Sequence, residues 1–116
     1  MIDLPAFDTG QYEGSDFSMS GGDASLTLHI AEQASFTICF SRVRWHEFTA
    51  LPNCSADQVR SAYFALVDLG STQRLSSFLA SDSSSRKAYG SLRHFRILLD
   101  ETGCHEILAE SARVGA

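Results

Sequence analysis

Histidine and cysteine have the widest chemistry of the residue types in this chain. The histidines occupy positions 29, 46, 94 and 105, and the cysteines occupy positions 39, 54 and 104. A zinc site needs three or four such ligands at compact spacing, and these residues are scattered. The sequence therefore predicts no metal site and no cofactor, unless His46, His94 and His105 converge across a sheet.

A nucleophilic serine or cysteine needs a base beside it. Cys104 and His105 are adjacent, and neighbouring side chains of a strand point to opposite faces, so the two cannot cooperate. Free cysteine is usually buried, and Cys104 is predicted to be a small buried thiol. The chain has no G-x-S-x-G motif, and "SGGDAS" lacks the lysine of a phosphate-binding loop. We therefore predict that the protein is not an enzyme.

The stretch "LRHFRILLDETGCHEILAES", Leu92 to Ser111, has the pattern of a β-hairpin. Apolar and polar side chains alternate on both sides of "DETG", whose Asp and Gly suit a tight turn. We predict a register with Ile97 opposite Ile107. In that register His94 lies beside Glu110, and the two form a cross-strand ion pair rather than a catalytic dyad.

The N-terminal half has the same alternation. Residues 1–15 are rich in turn-forming residues and are predicted to be irregular. A short strand is predicted from Asp16 to Ser20. A hairpin follows, in which Leu28 is expected opposite Ile38. The segment "RVRWHEFTA" is predicted to continue the meander as a further strand.

Two helices are predicted between these strands and the final hairpin. Ser55 and Gln58 have the spacing of a capping box, and an apolar stripe at helical spacing follows as far as Gly70, a natural C-terminal cap. A second, shorter helix is predicted from Ser71, with the apolar residues of "RLSSFLA" facing inward.

These elements predict a single α+β domain over residues 1–116. We expect one antiparallel sheet of five to six strands, with two helices packed on one face, in the order β-β-β-β-α-α-β-β. Hydrophobic residues make up 44% of the chain and no apolar run is long enough to span a membrane. The odd cysteine count and the absence of a secretory signal favour reduced thiols and a cytoplasmic location.

The net charge of −5 argues against nucleic acid as a partner, because such binders usually carry a basic face. An acidic domain can instead attract a basic protein. The acidic residues on predicted loops and helix ends, together with the single tryptophan, are the candidate partner-binding residues: Asp57, Asp68, Asp82, Glu101 and Trp45.

The tail, "HFRILLD", a glycine turn and then "CHEILAES", resembles the C-terminal hairpin of small bacterial immunity-type α+β proteins, which neutralise a toxin by binding it. The resemblance covers about the last quarter of the chain and implies a non-enzymatic inhibitor of a basic toxin domain. The alternative is a small enzyme or ligand-binding domain with a pocket between the helices and the sheet. The sequence leaves open the oligomeric state, including self-association through an exposed strand edge.

Overall fold

The computed structural model describes residues 2–81 and 91–115 of the chain. Within them lie eight strands, two α-helices and two short 3₁₀ turns. In chain order the elements are β1 (Tyr12–Ser20), β2 (Asp23–Ile30), β3 (Phe36–Ser41), β4 (Trp45–Ala50), α1 (Ala56–Ala62), β5 (Val67–Gly70), α2 (Gln73–Ser81), β6 (Arg93–Leu99), β7 (Gly103–Ala109) and β8 (Ser111–Gly115).

The α+β class and the two helices are as predicted, but the single sheet is wrong. The strands form two antiparallel four-stranded sheets, one in the order β1-β2-β3-β8 and the other in the order β4-β7-β6-β5. The predicted element order is also wrong, because β5 lies between the two helices and three strands follow α2. The physical reason is that β4 pairs with β7 rather than with β3, so the N-terminal meander is divided between the sheets.

The main core lies between the two sheets. Alternate residues of each strand point into this space, as period-two patterning requires. The buried side chains of the first sheet are Leu26, Leu28, Ile30, Phe36, Ile38 and Phe40, and those of the second are Phe95, Ile97, Leu99, Ile107 and Ala109.

The helices form a third layer on the other face of the second sheet. Ala62 of α1 packs in a small cluster with Leu98 and Cys104. Leu75 of α2 packs with Leu92 and Leu108, as the inward-facing stripe of the predicted second helix requires. The second sheet is therefore covered on both faces, which explains why β7 is buried along its whole length.

Both predicted hairpin registers are wrong by two residues, while the predicted faces are right. Phe95, not Ile97, lies opposite Ile107. In the N-terminal hairpin Leu26, not Leu28, lies opposite Ile38. A shift of two residues leaves every side chain on its predicted face, because the side-chain period of a strand is also two.

The first helix begins as predicted and ends early. The Ser55 hydroxyl accepts from the backbone N–H of Gln58, and the Gln58 side chain accepts from the backbone N–H of Ser55. The helix ends at Ala62, and Phe64 donates its backbone N–H to the carbonyl of Leu98 on β6. The remainder of the apolar stripe therefore becomes β5, which pairs with β6.

The first 15 residues contain a 3₁₀ turn at Thr9–Gln11 and the beginning of β1 at Tyr12. Ile2 forms an isolated bridge with Leu66, which ties the beginning of the chain to the second sheet. In the part of the chain that the structure describes, neither helix is long and apolar enough to cross a membrane.

Candidate functional site

The β6–β7 turn presents two adjacent carboxylates at one end of the second sheet. Thr102 donates its backbone N–H to the carbonyl of Leu99 at 3.1 Å, and Glu101 donates its own to Asp100 Oδ1 at 2.9 Å. Glu101 has φ of 65°, the left-handed region that favours glycine. The exposed Glu101 side chain is thus held on a backbone that costs about 1 kcal/mol or more to adopt.

Two exposed aromatic residues flank this turn. The Tyr63 hydroxyl donates to Asp100 Oδ2 at 2.9 Å, and this hydrogen bond raises the pKa of Tyr63 above its ordinary value. Phe48 on β4 lies against Gly103, so close that a Cβ built there would come within 2.8 Å of the ring. Tyr63 is 47% exposed and Phe48 is 43% exposed. We call Phe48, Tyr63, Asp100 and Glu101 the acidic end.

An aromatic groove adjoins the acidic end and shares Phe48 with it. The groove has a volume of about 320 Å³ and lies where β1, an edge strand of the first sheet, meets β4, an edge strand of the second. Its lining consists of two phenylalanines, two histidines and two hydroxyl residues: Phe17, Phe48, His46, His105, Ser15 and Thr102.

The two histidines of the groove contact each other. His46 Nε2 lies 3.0 Å from His105 Nδ1. The Phe17 ring stacks on both imidazoles, with ring centroids 4.2 Å from His46 and 5.1 Å from His105. Burial lowers the pKa of His46, and burial together with the adjacent His46 lowers the pKa of His105 to about 4. Both imidazoles are therefore neutral at pH 7.

His94 lies on the opposite face of the sheet, in a buried polar network beneath the helices. Its Nε2 donates to Glu106 Oε1 at 2.6 Å, so its carboxylate partner is Glu106 and not the predicted Glu110. Its Nδ1 lies 2.8 Å from the hydroxyl of Thr72, which also caps α2 by accepting from the N–H of Leu75. Of the three histidines considered from the sequence, the structure brings His46 and His105 together and separates His94 from them.

Glu106 links both helices to the sheet. Its Oε2 accepts from Arg96 Nε and from Gln58 Nε2, each at 2.8 Å. Burial by itself would raise the pKa of Glu106, but the hydrogen bonds from His94, Gln58 and Arg96 outweigh burial and hold it at about 2. In this network Thr72 caps α2 and contacts His94, and His94 in turn donates to Glu106.

The predicted thiol environment is confirmed for Cys104. Its side chain is fully buried on the helix-facing side, and burial raises its pKa to about 12. His105 points the other way, into the groove with Phe17. Cys104 and His105 therefore do not cooperate.

The structure separates the residues selected from the sequence as partner contacts. Asp57 pairs with Arg96 at 3.0 Å, and Asp68 pairs with Arg93 at 2.6 Å. Trp45 is half-buried against α2, on the strand at the opposite edge of the sheet from the one that carries Asp68. Its ring lies beneath the guanidinium of Arg74, whose central carbon is 4.8 Å from the ring centroid. Asp82 lies outside the described residues, which leaves Glu101 as the candidate at the acidic end.

Sequence reasoning missed Phe17, Phe48 and Tyr63. Phe17 and Phe48 alternate with polar residues as core positions do, and Tyr63 continues the apolar stripe of the first helix. No local signal distinguishes such residues from core residues, because their exposure depends on which strands form the sheet edges.

Comparisons of the chain with protein-family models, with curated proteins and with solved structures found no match.

Proposed function

We propose that this chain is a protein-binding module that inhibits a basic partner protein, and that it contacts the partner through the acidic end. One observation carries the proposal: two carboxylates, Asp100 and Glu101, lie in a turn that two exposed aromatic side chains touch, Tyr63 at Asp100 and Phe48 at Gly103. Aromatic anchors supply most of the binding energy in many protein interfaces, while charged groups beside them steer association.

The ion pairs separate this surface from the other acids that the sequence suggested as partner contacts, Asp57 and Asp68. Asp57, Asp68 and Glu106 each pair with an arginine of this chain. Within residues 2–81 and 91–115, Asp100 and Glu101 have no cationic partner. Their negative charge is therefore available to an incoming basic group, in a chain whose net charge is already −5.

The backbone of Glu101 is left-handed, as is that of Glu32 in the β2–β3 turn. Glycine would occupy the left-handed position at φ 65° without a steric cost, whereas glutamate is strained there. The tail's resemblance to immunity-type proteins adds the class of partner, a toxin domain.

The experiment compares charge reversal at two exposed glutamates with left-handed backbones. Glu32, in the β2–β3 turn, is also exposed and also left-handed, with φ of 60°, so Glu32→Lys is a matched control for Glu101→Lys. The immobilised wild-type protein is expected to retain one stoichiometric basic protein from a lysate of its source at low salt, and less of it at high salt. For the purified partner, Glu101→Lys is expected to slow association about tenfold at low salt, and Glu32→Lys is expected to leave it unchanged.

Two further measurements complete the test. Phe48→Ala is expected to speed dissociation, with a loss of about 2 kcal/mol in binding, because it removes an aromatic anchor. Co-expression with the partner is expected to suppress the partner's activity when the two proteins are present in equal amounts. Equal binding by wild type, Glu101→Lys and Phe48→Ala would exclude the acidic end, and no retained protein at either salt concentration would count against the proposal as a whole.

A second candidate function is the binding of a small ligand in the aromatic groove. The observation that favours it is the pair of histidines lining an open groove of about 320 Å³. This groove lies at the meeting of the two sheets, whereas the space between the helices and the second sheet holds the buried network of Glu106.

A further inference from the structure

We propose that the aromatic groove binds a small uncharged aromatic molecule whose ring edge carries one group that can both donate and accept a hydrogen bond, as a phenol does. The proposal rests on the second candidate function and names its ligand class, and it does not depend on the binding of a basic protein. The observation that carries it is a histidine nitrogen without a hydrogen-bond partner, His105 Nε2, in a groove lined by aromatic rings.

This nitrogen belongs to a residue that is only 5% exposed. His105 Nδ1 lies 3.0 Å from His46 Nε2, and no residue of the described chain forms a hydrogen bond with His105 Nε2. In that part of the chain every fully buried side-chain nitrogen or oxygen has a partner, so His105 Nε2 is open to solvent instead. His105 lines the groove, and solvent reaches it there. A ligand atom that replaces this solvent gains a hydrogen bond in a partly desolvated place, where such bonds are stronger than in bulk water.

The hydrogen bond between the two histidines allows His105 Nε2 to take either role. Both imidazoles are neutral, so each ring carries one N–H. If His46 Nε2 donates to His105 Nδ1, the proton of His105 is on Nε2, which is then a donor. If His105 Nδ1 donates to His46 Nε2, then His105 Nε2 carries no proton and is an acceptor. The groove therefore suits a ligand group that can take the opposite role in each case, and a phenolic hydroxyl can do so.

The rings beside this nitrogen favour a flat aromatic ligand. The ring centroids of Phe17 and Phe48 lie 5.1 Å and 4.8 Å from that of His105. Phe48 is 43% exposed, so part of its ring is free to contact a ligand. Contacts between aromatic rings are more favourable than the area they bury accounts for. A ligand ring against Phe48 therefore gains more than a saturated ring of the same size would.

The lining of the groove disfavours a charged ligand. Among the described residues no aspartate, glutamate, lysine or arginine lines it, and its polar side chains besides the histidines are the hydroxyls of Ser15 and Thr102. Burial lowers the pKa of His105 to about 4, so this residue supplies no positive charge at pH 7. A charged ligand would lose hydration without gaining an opposite charge. The volume of about 320 Å³ lies near the lower limit for small-molecule sites, which suits a ligand of one or two rings.

NMR titration of the wild-type protein with four molecules of similar size tests the ligand class. The first, p-cresol, has both the aromatic ring and the hydroxyl. Of the others, 4-methylcyclohexanol lacks the aromatic ring, toluene lacks the hydroxyl and 4-methylbenzoate carries a charge. We expect p-cresol to shift the amide signals of Phe17, Phe48 and Thr102 with a Kd on the order of 1 mM, which a molecule of about eight non-hydrogen atoms can reach. The other three molecules are expected to bind at least about fivefold more weakly.

A pair of variants tests the location of the site. Phe48→Leu removes the exposed ring and keeps an apolar side chain, and it is expected to weaken p-cresol binding at least about threefold. The matched control is Met19→Leu, which changes another exposed apolar side chain on an edge strand, outside the lining of the groove. Met19→Leu is expected to bind p-cresol as wild type does.

The outcomes separate the ligand class from the second candidate function. Equal affinity for p-cresol and for toluene or 4-methylcyclohexanol would show that the groove binds small molecules but that this ligand class is wrong. The absence of shifts with all four molecules would overturn both the ligand class and the second candidate function. Undiminished p-cresol binding by Phe48→Leu, or shifts centred away from the groove, would place the ligand elsewhere and overturn the proposal.

Discussion

At the scale of single residues, Glu106 is a buried charged group with hydrogen-bond partners on several elements. Glu106 is only 4% exposed, and its carboxylate accepts hydrogen bonds from two side chains of β6, one of α1 and the thiol of Cys104. A buried carboxylate is tolerated when such partners replace its hydration. Removal of its charge leaves Arg96 and His94 without their central acceptor.

We predict that Glu106→Gln lowers the free energy of unfolding by about 3 kcal/mol, because it breaks a buried ion pair while keeping the side-chain volume. The control is Asp57→Asn, which removes the other carboxylate bound to Arg96. The side chain of Asp57 is 80% exposed, so its loss is expected to cost at most about 1 kcal/mol. Urea unfolding at pH 7 measures both, and equal losses would contradict this account of Glu106.

The carboxylate of Glu106 also makes the stability of the folded protein depend on pH. The folded-state pKa of Glu106, about 2, is below the ordinary value of 4.5, so its charged form is favoured by folding. The stability it contributes is fully present above pH 4.5 and is lost as the pH falls toward 2. Between pH 5 and pH 3 the stability of wild type is expected to fall more steeply than that of Glu106→Gln, and parallel curves would disprove the assignment.

Some features of single residues could be predicted from the sequence, and others could not. The opposite orientation of Cys104 and His105 follows from strand geometry alone. The pairing of His94 with Glu106 instead of Glu110 depends on the register of β6 against β7. A pattern of period two does not fix this register, because a shift by two residues leaves every side chain on the same face. The pairing of Asp57 with Arg96 depends on where α1 packs, and local sequence does not determine that.

At the scale of elements, Gly103 decides how closely β4 can approach β7. Its φ is +149°, and a Cβ at this position would overlap the carbonyl oxygen of Thr49 and lie 3.1 Å from Cα of Ala50. The close contact places Phe48 against the β6–β7 turn. The acidic end therefore depends on this glycine.

We predict that Gly103→Ala is more destabilising than Gly14→Ala by at least about 2 kcal/mol. Gly14 is the matched control because its φ, +139°, is similarly unfavourable for alanine, while nothing lies within 4 Å of a Cβ built there. Both variants carry the backbone strain, so the difference between their losses of stability measures the clash of the added Cβ with β4. Chemical unfolding of both proteins measures it, and equal losses of stability would show that β4 moves aside at little cost.

The end of the first helix shows where element prediction from sequence fails. The capping box at Ser55 is local, and it was predicted correctly. The apolar residues after Ala62 fit a helical stripe, but the edge of β6 offers unpaired backbone groups, and Val67–Gly70 pairs with it as β5. Tertiary hydrogen bonding overrides local helical spacing here, whereas the second helix keeps its predicted inward face.

At the scale of the whole molecule, alternation predicted which residues are buried, but it did not predict how many sheets bury them. Leu26, Ile38 and Ile97 share one core although they lie on different sheets. A strand that continues a meander and a strand that joins a second sheet show the same alternation of apolar and polar residues. The α+β class was therefore predictable, and the division into two sheets was not.

The packing of α1 on the second sheet predicts two classes of cysteine thiol, which differ in how readily a reagent reaches them. Cys39 and Cys54 are half-buried, whereas Cys104 is fully buried between the second sheet and α1, with its pKa raised to about 12. With a thiol reagent at pH 8, two cysteines are expected to react readily and the third only as fast as the protein unfolds. Cys104→Ser should abolish the slow phase alone. Three equal rates would indicate that α1 opens without global unfolding.

The position of β8 has a consequence for how this chain is synthesised. Ile38 of β3 pairs with Val114 of β8, 76 positions later (114 minus 38). Contacts between such distant positions slow folding, because a long loop must close before they form. Until β8 has been synthesised, β3 is an open sheet edge with Phe36, Ile38 and Phe40 on one side. The nascent chain therefore passes through a stage at which association with other nascent chains competes with completion of its own sheet.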